Sequence, residues 1–152
     1  MNIFEKISDD LRLAMLAKDK ERLEALNTLK WALLGAKEIA LTNKEEFNDE
    51  IALRIISKLV KRMRDSAELY KQGNRNDLSE SEMAQVKIMQ EYLPKQVDDA
   101  ELTAIISAII KKTGVSSITE LSKVFELAAK ELAGKAEEWL IEEKIKSLLM
   151  YS

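Results

Sequence analysis

The stretch Glu91-Tyr92-Leu93-Pro94-Lys95-Gln96 decides how the chain folds, because Pro94 is the only proline among 152 residues. Proline lacks a backbone N–H and clashes with the preceding helical turn, so a helix that approaches Pro94 ends at or just before Leu93. The next helix begins almost at once, because Asp98 can cap it and Glu101 completes a capping box three residues later. Pro94 is therefore predicted to join two helical regions.

The composition indicates an all-α protein. With 46% hydrophobic and 34% charged residues, the chain is too apolar to remain disordered, and its four glycines and one proline are too few for a sheet protein. We therefore expect an N-terminal array of four helices over residues 1–94. It is joined at Pro94 to a C-terminal bundle of three helices over residues 95–152.

Hydrophobic spacing and capping residues predict the bounds of these seven helices. The first four are expected at Ile3 to Ala17, Asp19 to Leu41, Ile51 to Gln72, and from a capping box of Ser79 and Glu82 to Leu93. The last three are expected from Asp98 to Thr113, from a capping box of Ser117 and Glu120 to Leu132, and around Ile141 to Leu149. Within the second helix, Gly35 predicts a bend or a close helix contact, and Gly73 is predicted to end the third.

The residue types that the chain lacks exclude several classes of site. Without cysteine or histidine, it has no disulfide, thiolate nucleophile or imidazole base, and nearly all zinc and transition-metal sites are excluded. No glycine-rich phosphate loop occurs, and no nucleophile lies beside a base. The carboxylate pairs Asp98-Asp99 and Glu137-Glu138 lie at predicted helix starts, where capping explains them. We therefore predict no catalytic residue, no cofactor and no metal.

The sequence contains no stretch that approaches the roughly 18 apolar residues of a membrane-spanning helix. Its beginning, Met1-Asn2-Ile3-Phe4-Glu5-Lys6, has no long apolar run. These features predict a soluble, cytoplasmic protein without membrane contact. Because the net charge is −3, the molecule as a whole does not attract nucleic acid, and any nucleic-acid surface must be a local patch.

The third predicted helix carries the most concentrated positive charge in the chain. Between Ile51 and Arg64 the helix has five basic residues and no acidic residue. The basic residues are Arg54, Lys58, Lys61, Arg62 and Arg64. The first four follow the helical repeat and share one side. Such a face can neutralise phosphates and release counterions, which predicts RNA binding. The alternative is a solvated face whose charges pair with Glu68 or Glu82.

A second predicted RNA-binding set near the C-terminus consists of Lys123, Lys130 and Lys135. The first two are seven residues apart and therefore share a side of the sixth helix, and Lys135 follows in the next turn. The helix macrodipole offers another explanation for positive charge at this helix end. Because only 5% of the residues are aromatic, we expect structured RNA to be recognised by shape and backbone rather than by base stacking.

The two tryptophans, Trp31 and Trp139, are predicted to be core or interface residues. Trp139 is followed by Leu140 and Ile141, and three consecutive apolar residues cannot all face one core. One of them should therefore be exposed, and Trp139 is a candidate for docking a partner helix.

Several stretches in the same order resemble the GatB/YqeY family over nearly the whole chain. They are Ala17-Lys18-Asp19-Lys20 with Arg22-Leu23, Lys61-Arg62-Met63-Arg64-Asp65-Ser66, Gly73 with Arg75, Asp77 and Leu78, and Tyr92-Leu93-Pro94-Lys95-Gln96. The C-terminal part also resembles the tail of the aminoacyl-tRNA amidotransferase B subunit. That likeness rests on Lys123-Val124-Phe125 and on the turn Gly134-Lys135-Ala136-Glu137.

The resemblance implies a free-standing protein similar to that tail, which is understood to touch tRNA while the amidotransferase active sites lie elsewhere. We expect a tRNA-associated binding module that is not catalytic alone, with tRNA or a tRNA-charging enzyme as partner and Tyr92, Leu93 and Pro94 as a hinge. The family label, a carbon–nitrogen ligase with glutamine as amido-N-donor, implies amidotransferase chemistry, for which the sequence supplies no residues. The alternative function is a protein-interaction adaptor that docks a translation-related partner through its C-terminal helix.

Overall fold

The computed structural model describes residues 1–150, and within that range the backbone forms seven α-helices, one 3₁₀ turn and no strand. The prediction of an all-α fold is confirmed. The helices are α1 (Ile3–Ala17), α2 (Lys20–Thr42), α3 (Asp49–Gln72), α4 (Asn76–Gln90), α5 (Asp99–Thr113), α6 (Leu121–Glu131) and α7 (Glu138–Met150), and the 3₁₀ turn is Ile118–Glu120.

The chain divides into two compact units, Met1–Leu93 and Pro94–Ser152. In the first unit α3 packs most extensively against α4, and α2 packs against both α1 and α4. Each helix contributes apolar residues spaced three or four apart, so that they line one face. The fully buried large side chains of this core are Ile7, Leu26, Leu29, Leu33, Ile56, Val86 and Met89.

The second unit is built from α5, α6 and α7, each of which packs against the other two. The large side chains that are fully buried in its core are Ile106, Val124, Leu132, Ile141 and Ile145. Lys144 of α7 also reaches Asp99 at the start of α5, with its ammonium nitrogen 2.8 Å from the carboxylate. Apolar burial and this ion pair hold the first and last helices of the unit together.

Side-chain caps fix most of the helix starts. Asn2, Asp19, Asn48 and Asp98 each accept a hydrogen bond from the backbone N–H three residues later, which satisfies a donor that has no partner within the helix. The predicted cap at Asp98 is therefore present. Ser117 caps the 3₁₀ turn rather than α6, which begins four residues later at Leu121.

The predicted start of α4 at Ser79 is wrong, because the helix already begins at Asn76. The chain reverses before it through Asn74, which adopts a left-handed conformation with φ of 59°. The N–H of Arg75 then bonds to the carbonyl of Tyr70 at 2.7 Å. Once this turn has closed, a helix can start without a side-chain cap, so Ser79 lies inside it.

The prediction of a close helix contact at Gly35 is wrong, whereas the prediction that Gly73 ends α3 is confirmed. Gly35 has no neighbouring atom within 4 Å of the position that a Cβ would occupy, so no close helix contact requires it. Gly73 does end α3, but its φ is −86°, and the left-handed residue of the turn is Asn74. Asparagine tolerates that conformation better than most residues, because its short side chain can hydrogen-bond locally.

The end of α4 agrees with the proline argument. The helix ends at Gln90, and the next three residues, Glu91, Tyr92 and Leu93, continue as a tighter turn. Their N–H groups bond to carbonyls three residues earlier, each at 3.1 Å. Pro94 follows and donates no such bond.

Candidate nucleic-acid interface

Four of the five basic residues predicted on α3 share one side of that helix. At about 100° per residue, Arg54, Lys58, Lys61 and Arg62 fall within an arc of about 100°. Lys58 and Arg62 are exposed, whereas Arg54 and Lys61 are partly buried. Core residues such as Ile56 and Val60 occupy the opposite side and fix which way the cationic side faces. We call these four residues the α3 cationic face.

Arg64 does not belong to the α3 cationic face. It follows Arg62 by two residues, which places it about 160° away around the helix. Its side chain is partly buried. The helix geometry therefore separates Arg64 from Arg62, although Lys61 lies only about 60° away from it.

The α3 cationic face ends at Asp65. The Lys61 ammonium nitrogen lies 2.5 Å from an Asp65 carboxylate oxygen, and Asp65 projects from the same side one turn later. The sequence had offered Glu68 and Glu82 as pairing partners, but the acid that pairs with Lys61 here is Asp65. Arg54 and Lys58 also interact with other groups of the chain, whereas Arg62 forms no ion pair within residues 1–150.

The second predicted set lies in the other unit and forms its own candidate surface. Lys123 and Lys130 share a side of α6, and the half-exposed Leu127 lies between them. The Lys123 ammonium nitrogen lies 3.1 Å from Glu120. Lys130 and Lys135 are exposed, and neither side chain forms an ion pair in the described range. Two of the three lysines are therefore available to an anionic ligand.

Lys135 sits in a turn that hydrogen bonds hold on both sides. Gly134 before it has φ of 73°, a left-handed conformation that favours glycine. The backbone carbonyl of Lys135 accepts a 3.0 Å bond from the N–H of Val97. The side-chain amide of Gln96 donates to the carbonyls of Gly134 at 2.7 Å and Pro94 at 2.9 Å. The segment that follows Pro94 thus positions the turn that carries Lys135.

Sequence reasoning missed this role of Gln96. The residue stands in the stretch that suggested the family, but its neighbours carry no periodic pattern that pairs it with a residue 38 positions later. Two features of the sequence could have indicated the contact. One is a polar side chain two residues after the only proline, and the other is the glycine followed by a basic residue at Gly134-Lys135.

On the other side of Pro94, two side chains anchor the end of α4 to the first unit. Arg22 of α2 donates two hydrogen bonds to the Glu91 carboxylate, at 2.8 and 3.2 Å. The Tyr92 hydroxyl donates to Asp10 of α1 at 2.5 Å. The Tyr92 side chain is thus tied to α1, and Leu93 packs against the core of this unit. The predicted hinge at Tyr92, Leu93 and Pro94 stays a prediction.

The contact between Tyr92 and Asp10 changes the pKa of both groups. Burial raises the pKa of Tyr92, and the hydrogen bond to the Asp10 carboxylate raises it further. Burial also raises the pKa of Asp10, but hydrogen bonds from Tyr92 and Lys6 outweigh it, so that the pKa lies below its ordinary value. Both shifts favour a neutral phenol that donates to an ionised carboxylate across the physiological range.

Most other residues that suggested the family have structural roles. Lys18 forms the turn between α1 and α2 in a left-handed conformation with φ of 56°, and Asp19 caps α2. Arg75 and Asp77 pair at 3.5 Å where α4 begins. These contacts explain the motifs as joints between helices. Among the motif residues of α3, Arg62 is exposed, and no such contact explains its side chain.

Both tryptophans have exposed side chains. Trp31 of α2 is 71% exposed and Trp139 of α7 is 46% exposed, so neither belongs to a core. One residue of Trp139, Leu140 and Ile141 was predicted to be exposed. Two of them are, because Leu140 is also 38% exposed, and only Ile141 of the three is buried. The indole N–H of Trp139 donates to Glu137 at 3.0 Å.

The paired carboxylates have structural partners. Asp98 caps α5, and Asp99 pairs with Lys144. Within residues 1–150, no group of three or more acidic side chains is placed to hold a metal ion. No helix in that range combines the length and apolar character needed to cross a membrane.

A comparison with protein families matches residues 4–149 to the family model described as Yqey-like protein. Among curated proteins, a relative from Lachancea thermotolerans is named Altered inheritance of mitochondria protein 41, mitochondrial. It is 33% identical over 107 residues, which cover 68% of this chain and 56% of the relative. The chain therefore spans little more than half the length of that protein.

This relative corrects the prediction of a cytoplasmic protein, because its name places it in mitochondria. The prediction rested on the lack of a long apolar run at Met1 to Lys6 and on the lack of a membrane-spanning stretch. Proteins inside an organelle share both features, so neither feature distinguishes the two compartments.

Proposed function

Because the chain belongs to the Yqey-like protein family, which is related to the C-terminal part of the amidotransferase B subunit, we propose that it is a tRNA-binding module. In this proposal the chain holds RNA and performs no catalysis alone. Amidotransfer requires glutamine hydrolysis and activation of a carboxylate, and neither sequence nor site geometry supplies groups for those steps. Detectable glutaminase or ammonia-transfer activity of the purified protein would contradict the non-catalytic role.

The observation that carries the proposal is the exposure of Lys58 and Arg62 on the α3 cationic face. Phosphates of an RNA backbone can be neutralised by two such side chains at helical spacing, and release of the condensed counterions then favours binding. Arg62 can hold a phosphate in two hydrogen bonds, because its guanidinium presents donors in a planar fork. Asp65 marks the end of the contact, since its carboxylate repels phosphate.

The second unit offers another phosphate contact through Lys130 and Lys135. Lys130 lies in the last turn of α6 and Lys135 in the turn that Gln96 and Gly134 hold. A short, fixed turn presents its lysine to a backbone phosphate with little loss of main-chain entropy. Leu127, between Lys123 and Lys130, adds apolar surface that a ribose can cover.

The absence of aromatic residues from the α3 cationic face favours folded RNA over single strands. Proteins that hold single strands stack bases on aromatic rings, and α3 carries no aromatic residue before Tyr70. A double-stranded stem presents phosphates and 2′-hydroxyls in fixed positions instead. We therefore expect the tRNA to be recognised by its shape.

The test is a titration of the purified protein into labelled tRNA at two salt concentrations. The proposal predicts saturable binding at low salt that weakens strongly at high salt. Unfolded transcript of the same length serves as the control, and it should bind more weakly. Lack of saturable binding at low salt would exclude the proposed function.

The exposed pair Trp139 and Leu140 favours a second candidate function, that of an adaptor for a translation-related protein. Aromatic side chains are enriched among the residues that dominate protein interfaces, and two adjacent exposed apolar residues at the start of α7 provide such an anchor. A pull-down should lose its partner on Trp139→Ala and keep it on Lys61→Ala. The reverse pattern would favour the RNA surface.

A further inference from the structure

A groove of about 360 Å³ lies beside the last turns of α2 in the first unit. Apolar side chains form its floor and walls: Leu34, Ala40, Leu41 and Phe47. The carboxylates of Glu38 and Glu45 lie among the lining residues. This surface is distinct from the α3 cationic face, because none of its lining residues belongs to α3.

The wall that contains Glu45 and Phe47 is held in place by the backbone. After α2, Lys44 adopts a left-handed conformation with φ of 57°, and the N–H of Glu45 bonds to the carbonyl of Ala40 at 2.8 Å. This pattern is the Schellman closure of a helix. Phe47 then packs against the core of the unit, and Asn48 caps α3. The groove is therefore preformed.

The apolar part of the groove continues onto exposed surface. Leu41 is 80% exposed, and Trp31, three residues before Leu34 on α2, is 71% exposed. With Leu34 between them, these side chains follow a spacing of three and seven residues along one edge of the helix. A partner helix can bury such a strip with its own apolar side chains.

Two carboxylates and one ammonium line the groove, so its net charge is negative. Within the described range, the carboxylates of Glu38 and Glu45 take part in no hydrogen bond or ion pair. The basic lining residue, Lys37, places its ammonium 4.1 Å from the centre of the Phe4 ring, so its charge interacts with α1. The groove therefore presents a partner with apolar surface and with two carboxylates that have no ion-pair partner among residues 1–150.

We propose that this groove binds an amphipathic helix of a partner protein that carries lysine or arginine beside its apolar residues. A bulky apolar side chain of that helix fills the space between Leu34, Leu41 and Phe47. Basic side chains on its flanks meet Glu38 and Glu45. The surface thus adds a protein contact to a unit whose α3 cationic face is proposed to hold RNA.

The test uses the full chain with Trp139→Phe, so that Trp31 is the remaining tryptophan. It is titrated with a leucine–lysine amphipathic peptide of about four helical turns, and separately with a leucine–glutamate peptide of the same pattern. The lysine peptide should bind saturably and shift the emission of Trp31 to shorter wavelength as its indole is covered. The glutamate peptide should cause no shift.

Charge and apolar variants then locate the binding site. The double variant Glu38→Gln, Glu45→Gln should weaken binding by about tenfold or more, and Leu41→Ser should do likewise. The control Glu21→Gln, Glu80→Gln removes the same charge from exposed positions at the start of α2 and on α4, outside the groove, and should bind as the parent does.

Three results would overturn the proposal. The first is no saturable binding of the lysine peptide, and the second is an equal loss of affinity in the control variant. The third is self-association of the protein that Leu41→Ser abolishes, because the occupant would then be a second copy of the chain. None of these depends on tRNA, so the RNA proposal and this one fail separately.

Discussion

The side-chain amide of Gln96 donates a 2.7 Å hydrogen bond to the backbone carbonyl of Gly134. This bond connects two stretches that carry the family resemblance, the one around Pro94 and the turn between α6 and α7. It makes the structure of the second unit depend on residues that directly follow the proline. It also holds the turn in which Lys135 is presented.

Replacement of Gln96 by leucine should destabilise the second unit by about 1–2 kcal/mol, because the buried Gly134 carbonyl loses its partner. Urea unfolding followed by Trp139 fluorescence in a Trp31→Phe background measures this unit. Gln90→Leu, which changes an exposed glutamine of the other unit, is the matched control and should leave the Trp139 transition unchanged. Equal transitions for the two variants would show that the bond contributes no stability.

Two glycine substitutions should have opposite effects on stability. Gly134→Ala should cost about 1–2 kcal/mol, because alanine is strained at a φ of 73°. Gly35→Ala should gain about 0.5–1 kcal/mol, because the position lies inside α2 with open space around it. Thermal unfolding of both variants measures these changes in stability. A loss of stability in Gly35→Ala would mean that a contact at this position had been missed.

The contact between Tyr92 and Asp10 should make the first unit sensitive to pH at both extremes. Because the pKa of Asp10 is lowered on folding, its contribution is present above about pH 4 and is lost as the pH falls through the folded value. Because the pKa of Tyr92 is raised, its contribution is present below about pH 10 and is lost as the pH rises beyond it. The stability difference between wild type and Tyr92→Phe should therefore be largest between these limits.

The measurement is urea unfolding across this pH range, followed by Trp31 fluorescence in a Trp139→Phe background. At neutral pH Tyr92→Phe should lose about 1–2 kcal/mol. Tyr70→Phe is the control, because it removes the same hydroxyl from an exposed tyrosine of α3. A constant difference between Tyr92→Phe and wild type at all pH values would contradict the coupling.

Much of the fold follows from local rules. Pro94 marks the end of the fourth helix, and Asp19 and Asp98 mark helix starts through caps that need no tertiary information. The start of α4 was missed because Asn74 closes a turn to Tyr70 that replaces a side-chain cap. Capping motifs identify helix starts only where a side chain supplies the missing partner.

Sequence patterns were less informative about the candidate sites. The helical repeat correctly grouped Arg54 with Lys58 on one side of α3, because that depends on a single element. The bond between Gln96 and Gly134 joins residues 38 positions apart, and the exposure of Trp31 depends on how neighbouring helices pack around α2. Neither leaves a periodic signal in the sequence.

The most direct test of the central claim is the salt dependence of tRNA binding in wild type and in the variant Lys58→Gln, Arg62→Gln. If both side chains contact phosphates, the slope of log K against log salt should fall in magnitude by about 2 in the variant. The control Lys20→Gln, Lys71→Gln removes the same charge from exposed positions off the α3 cationic face, and its slope should match that of wild type. Identical slopes for all three proteins would contradict the account.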